Sequence, residues 1–244
     1  MSLEHPLRAR DREPGPQPEP RPAPERQSAG PAPIEGSAAS PRVLLIMLGL
    51  TVGWGLLMQR FGSTGNIYAV MGPFALSVLL VVVALSSSKL AIWLRPHRRG
   101  VLSGLAVGVA MTLATYPVYA LLRSLVPEIE HHVAALYAAA HQTTLAAALP
   151  WVIAIIVAEE LLWRGALLYV LERRVPPALA MTISVATYAA AQFGTGSWIV
   201  MLLALVCGTL WTLQRHFTRS LLSPLLAHLI WTPTVILFYP VTSL

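Results

Sequence analysis

From Val43 onward the chain is a succession of apolar runs separated by short polar segments, whereas residues 1–42 contain no apolar run. Seven runs stand out, at 43–58, 67–85, 101–122, 151–171, 178–193, 198–213 and 221–239. They lie near the ~17–25 residues that a helix needs to cross a bilayer, several at the short end. Their number and spacing predict an all-α, polytopic transmembrane helical bundle of seven spans. Between the third and fourth runs, EIEHHVAALYAAAHQTTLAAALP is helical in propensity but polar at its start. It reads as an interfacial or re-entrant helix, with an eighth span as the alternative.

Composition agrees with a bilayer setting. Of 244 residues, 55% are hydrophobic and only 11% charged, against about 25% charged in a soluble domain. Residues 1–42 hold half of the prolines, and their six arginines are matched by six acids. They read as a disordered Pro/Arg-rich N-terminal arm, with a transmembrane domain over 43–244. The first apolar run starts too late for a cleavable signal peptide.

The formal charge of +6 does not indicate nucleic acid, because the excess sits in loops between apolar runs. Lys89, Arg95, Arg98 and Arg99 follow the second run, Arg173 and Arg174 the fourth, and Arg215 and Arg219 the sixth. With the N-terminus cytoplasmic, all three clusters fall inside and Arg60 and Arg123 outside, as the positive-inside rule expects. No internal repeat is evident, so a transporter of inverted halves gains no support. The lone Cys207 can form no internal disulfide.

Against this background the stretch VAEELLWRG, residues 157–165, is anomalous. A charge at the centre of a membrane helix costs roughly 2.5–3.5 kcal/mol on insertion scales, and three occur within six residues. On a helix Glu160 and Arg164 share a face and can neutralise one another. Glu159 points about 100° away, without a local partner, and is a candidate general base for water. The structural alternative makes all three a polar knot between helices. His228, inside the last run, supplies an ionisable group on another helix, and Thr232 falls on the same face one turn later. A lone buried histidine is commonly an interhelical donor, but two helices that both present such groups favour a shared polar cavity.

Several chemistries are excluded. The only aspartate is Asp11, in the arm, which rules out a paired-aspartate protease, and no HExxH is present. GTGS at 194–197 lacks a nucleophile between its glycines and reads as a turn. Cys207 has no histidine in its own or an adjacent short segment, which makes a thiol nucleophile weak.

EELLWR resembles the E-E-x-x-x-R motif of the CAAX-protease and bacteriocin-processing family, the Ras-converting-enzyme-like intramembrane endopeptidases. Tyr188 to Gln192 (YAAAQ) falls where that family has F-x-x-x-H, and His228 to Thr232 (HLIWT) where it has H-x-x-x-N. The resemblance covers roughly residues 100–244. It implies that Glu159 activates the attacking water, that Glu160 and Arg164 orient its helix, and that His228 and Thr232 stabilise the oxyanion. Three residues depart from the pattern. Tyr188 replaces a phenylalanine, Thr232 an asparagine, and Gln192 a histidine. Glutamine can hold a water but cannot accept a proton, and it is a poor metal ligand.

The expectation is therefore a metal-free, cofactor-independent endopeptidase, with a divalent metal as the alternative. It would hydrolyse a peptide bond of a membrane-associated or tail-anchored protein near the membrane. The other reading is a catalytically impaired member of the family that binds proteins or acts as a scaffold. Partners are a protein or peptide substrate and the lipid bilayer, with no nucleic acid. An alanine- and arginine-rich, lysine-poor composition points to a GC-rich bacterial genome, which disfavours prenyl substrates, and the expected location is a bacterial inner membrane. With Trp151 at the outer end of its span, Glu159 is expected roughly 12 Å below that end, so that the site opens toward the outer half of the bilayer.

Overall fold

The computed structural model describes residues 40–61 and 66–243, and all regular structure among them is helical. Eight helices follow in order: α1 (Pro41–Phe61), α2 (Ile67–Trp93), α3 (Arg98–Leu125), α4 (Glu128–Ala140), α5 (Leu145–Leu171), α6 (Pro177–Ala191), α7 (Trp198–Thr218) and α8 (Leu222–Phe238). The boundaries follow local chemistry. Asn66 caps α2 by accepting from the Tyr68 amide, and His97 Nδ1 caps α3 by accepting from Gly100 N at 2.8 Å. Thr144 caps α5, Ser197 caps α7, and Pro177 sits at the start of α6, where its missing N–H is harmless.

Five helices (α1, α2, α3, α5 and α7) are long and apolar enough to cross a membrane. Large aliphatic side chains such as Leu45, Leu80, Leu113 and Val206 stay exposed on them, as lipid-facing positions do. The chain is an integral membrane protein. The seven-span expectation is met only in part. The fifth and seventh expected spans are the helices α6 and α8, of 15 and 17 residues or roughly 22 and 26 Å, shorter than the other five. The segment held open as an eighth span is α4, whose 13 residues reach only about 20 Å. The arm expected over 1–42 lies outside the described residues, except for its last three, of which Pro41 and Arg42 already belong to α1.

The expected start of the fourth span, Trp151, is also corrected. Pro150 lies inside α5, which begins at Leu145. Helical proline is tolerated in membranes because neighbouring groups satisfy the freed carbonyl. Glu159 is consequently near the middle of α5, roughly 21 Å from its first residue and not 12 Å from its end.

Two features set where the site forms. Residues Glu160–Leu167 of α5 are π-helical and buried all round, an i→i+5 pairing that is uncommon and concentrates at functional sites. Helix α3 lies close along α8, with Gly104 facing Ser223 and Leu226. A Cβ there would sit 2.8 Å from the Ser223 carbonyl oxygen, so only glycine permits that approach. The close approach holds α8, and hence His228, against the middle of α5.

Candidate active site

The π-helical turn delivers Glu160 and Arg164 into the protein interior, where they are 0% and 1% exposed. Their side chains meet as the i, i+4 spacing anticipates, Arg164 Nη1 donating to Glu160 Oε1 at 3.2 Å. The same oxygen lies 2.9 Å from His228 Nδ1. Glu160 therefore bridges two helices. Arg164 is further enclosed by aromatic faces, its Cζ being 4.1 Å from the Tyr188 ring centroid and 5.3 Å from that of Trp211. Gly208 makes room for this stack, since a Cβ would lie 2.9 Å from Tyr188 and 3.1 Å from Arg164 Nη2.

Glu159 is placed differently. Its Oε2 accepts from the Tyr188 hydroxyl at 3.2 Å, its Oε1 accepts from Gln192 Nε2 at 3.2 Å, and Oε2 is 3.8 Å from His228 Nε2. Gln192 reaches it because α6 ends there and the chain tightens into a 3₁₀ turn over Gln192–Thr195. The carboxylate faces a cleft of about 220 Å³, otherwise lined mainly by apolar side chains. Gln192, His228 and Thr232 line the same cleft, while Glu160 and Arg164 lie behind its wall. The Thr232 hydroxyl is buried and has no hydrogen-bond partner among the described residues.

The six residues singled out in the sequence thus gather at one place, as an exposed-to-cleft set and a walled-off set. Others were missed. The Tyr188 hydroxyl, absent from a phenylalanine, is a direct partner of Glu159. Trp211 stacks on the His228 ring at 3.7 Å with an interplanar angle of 23°. Cys207 also lines the cleft. Only the spacing of Cys207 and Trp211, one helical turn apart, hinted at a shared face. Among the described residues no three His, Cys, Asp or Glu side chains converge to hold a metal ion. The cleft offers Glu159 and one nitrogen of His228, with an amide as the next neighbour.

Fold and site together define a helical membrane protein with a glutamate–histidine centre enclosed between its helices. Residues 141–233, which carry every one of these side chains, match the Rce1-like family model, described as type II CAAX prenyl endopeptidase. No curated protein and no solved structure matches the chain significantly.

Proposed function

We propose that the protein is an intramembrane endopeptidase in which Glu159 activates water to hydrolyse a peptide bond of a membrane-associated or tail-anchored substrate. One observation carries the reading. Of the two adjacent carboxylates, only Glu159 faces the cleft, where two neutral donors hydrogen-bond to it and His228 Nε2 lies 3.8 Å away, while Arg164 pairs with Glu160. A carboxylate neutralised by an arginine is a poor base, whereas one held by neutral donors in a water-poor cleft keeps a lone pair for a proton. Gln192 and Tyr188 fix its direction, and the free Thr232 hydroxyl is a donor for the developing oxyanion. Glu160 and Arg164 hold the α5–α8 contact.

Glu159→Gln keeps the shape and removes the base. Comparing the mature ends of membrane proteins in cells carrying wild type or Glu159→Gln tests the proposal directly. Loss of specific cleavages at normal abundance of the variant is the expected result, and unchanged cleavages would end the glutamate mechanism. A second reading rests on Gln192, an amide where the family motif has a histidine. It makes the chain a catalytically impaired member that binds proteins. Wild type and Glu159→Gln would then leave identical termini.

The proposed reaction uses no metal, because Gln192 and His228 with Glu159 make a poor ligand set. Activity that survives exhaustive chelation is the expected outcome. Loss on chelation with recovery on adding zinc would replace the glutamate mechanism by a metal-assisted one.

A further inference from the structure

Among the described residues His228 is the one imidazole lining the cleft, and its two nitrogens have different neighbours. Nδ1 lies 2.9 Å from Glu160 Oε1, and Nε2 lies 3.8 Å from Glu159 Oε2. A carboxylate oxygen only accepts, so in the neutral ring the hydrogen sits on Nδ1 and points at Glu160. Nε2 is then a bare lone pair on the side of the catalytic carboxylate. Trp211, itself 1% exposed, lies against the ring face and keeps the imidazole from turning over. A residue that serves only as an oxyanion donor needs a hydrogen on the cleft-facing nitrogen. This arrangement removes it.

Resting on the protease reading above, we infer that His228 carries the proton of the attacking water to the leaving amine, with Glu160 as its positioning residue. Water attacks the carbonyl carbon and gives up one proton to Glu159, which leaves a tetrahedral intermediate bearing one hydroxyl and one oxyanion. The proton passes from Glu159 to His228 Nε2. The resulting imidazolium is held by Glu160 through Nδ1–H. The 3.8 Å separation closes through a bridging water or a small side-chain shift when substrate is bound. The oxyanion then re-forms the carbonyl, the C–N bond breaks, and His228 donates the proton to the departing nitrogen. The products are a carboxylic acid and a neutral amine, and Glu159 and His228 return to their starting states. Gln192 cannot take this part, because an amide does not exchange roles between acid and base.

An amide nitrogen must be protonated to leave, whereas an ester oxygen leaves with far less help. The test therefore uses the full-length protein in liposomes, a quenched fluorescent peptide spanning a site whose cleavage differs between wild-type and Glu159→Gln cells, and the depsipeptide of the same sequence with an ester at the scissile bond. For His228→Gln the expected result is a fall of about 10²–10⁴-fold on the peptide and under about 10-fold on the ester. Glu160→Gln should shift the peptide-to-ester ratio in the same direction, and Thr232→Val should lower both rates by one common factor. Because the ratio is taken on a single preparation, poor folding of a variant cancels. Equal losses on peptide and ester for His228→Gln would overturn the inference and leave His228 as an oxyanion donor. A wild type inert toward both substrates would overturn the protease reading and this inference with it.

Discussion

At the residue scale, two neighbouring glutamates in one helix are given opposite tasks by what surrounds them. Glu160 is locked between Arg164 and His228 with no route to the cleft, so removing Glu160 or Arg164 leaves the other's buried charge uncompensated. Such losses cost about 3–5 kcal/mol. Glu160→Gln and Arg164→Leu should therefore lower the amount of folded protein in the membrane along with activity, whereas Glu159→Gln should lower activity alone. Quantitative blotting of membrane fractions beside the cleavage assay separates the two. Gln192 offers a finer test. Its amide holds Glu159 at 3.2 Å, so Gln192→Ala should cost about one or two oriented hydrogen bonds, roughly 1–3 kcal/mol or about 5- to 150-fold in rate. Gln192→His should be tolerated. If wild type were inactive and Gln192→His active, the chain would be a protease that has lost its function. Much of this was legible in the sequence, since a charge in hydrocarbon is conspicuous and Glu160–Arg164 is a local pair. The Glu160–His228 contact was not, because 68 residues separate the partners and neither signals the other. Trp211 was silent for the same reason, since an aromatic in an apolar run carries no mark of which neighbour it meets, and Tyr188 was marked as a departure from the family motif without any sign of its partner.

At the element scale, the decisive feature is the π-helical stretch of α5, and no periodicity could have revealed it. Every residue from Glu160 to Leu167 is buried, so the segment has no polar face whose phase would record a change of pitch. The early start of α5 was hidden by Pro150, which reads as a breaker in water but is tolerated inside a bundle. By contrast, α4 was legible as a short polar-edged helix, and the structure gives it a definite place. Its Leu136, Ala139 and Ala140 line the cleft, and Tyr137 donates to the Val235 carbonyl at 2.9 Å while accepting from Val241 N at 3.0 Å. Tyr68 donates to the Ala140 carbonyl at 3.0 Å, which ties α4 to α2 as well. Helix α7 contributes closeness more than chemistry. Gly208→Ala would push a methyl into Tyr188 and Arg164, and overpacking of this kind costs about 1–3 kcal/mol. A lower melting temperature in detergent is expected, with a larger proportional loss of activity than of folded protein, because Tyr188 is displaced from Glu159. A Gly208→Ala protein with unchanged melting and unchanged activity would show that this contact is slack.

At the scale of the whole molecule, the side from which substrate enters follows from which helix ends border the cleft. Residues lining the cleft include Met58 close to the end of α1, Ile67 and Tyr68 at the start of α2, Ala140 at the end of α4, and Thr195 before α7. All belong to the end of the bundle opposite the arginine-rich loops. That other end is held together by Leu221 N donating to the Trp93 carbonyl at 2.9 Å, and Trp93 packs on Tyr169, over which Arg173 lies. Three basic loops at one end and the cleft mouth at the other make the positive-inside rule a prediction about chemistry. With the basic end cytoplasmic, the mouth opens to the outer half of the bilayer, suited to cutting an exported protein near its anchor. On the proposed reading, the corrected depth of Glu159, near mid-helix, leaves this direction unchanged and would place the cut deeper, so that the scissile bond would enter the membrane or unwind toward it. Single cysteines in a Cys207→Ser background check the orientation. A cysteine at Ser197, beside the mouth, should react with an impermeant maleimide in intact cells. One at Arg173, at the basic end, should react only after the membrane is opened. Labelling of residue 197 only from the cytoplasm would invert the topology, and the substrates to search for would then be cytoplasmic tails and not exported proteins.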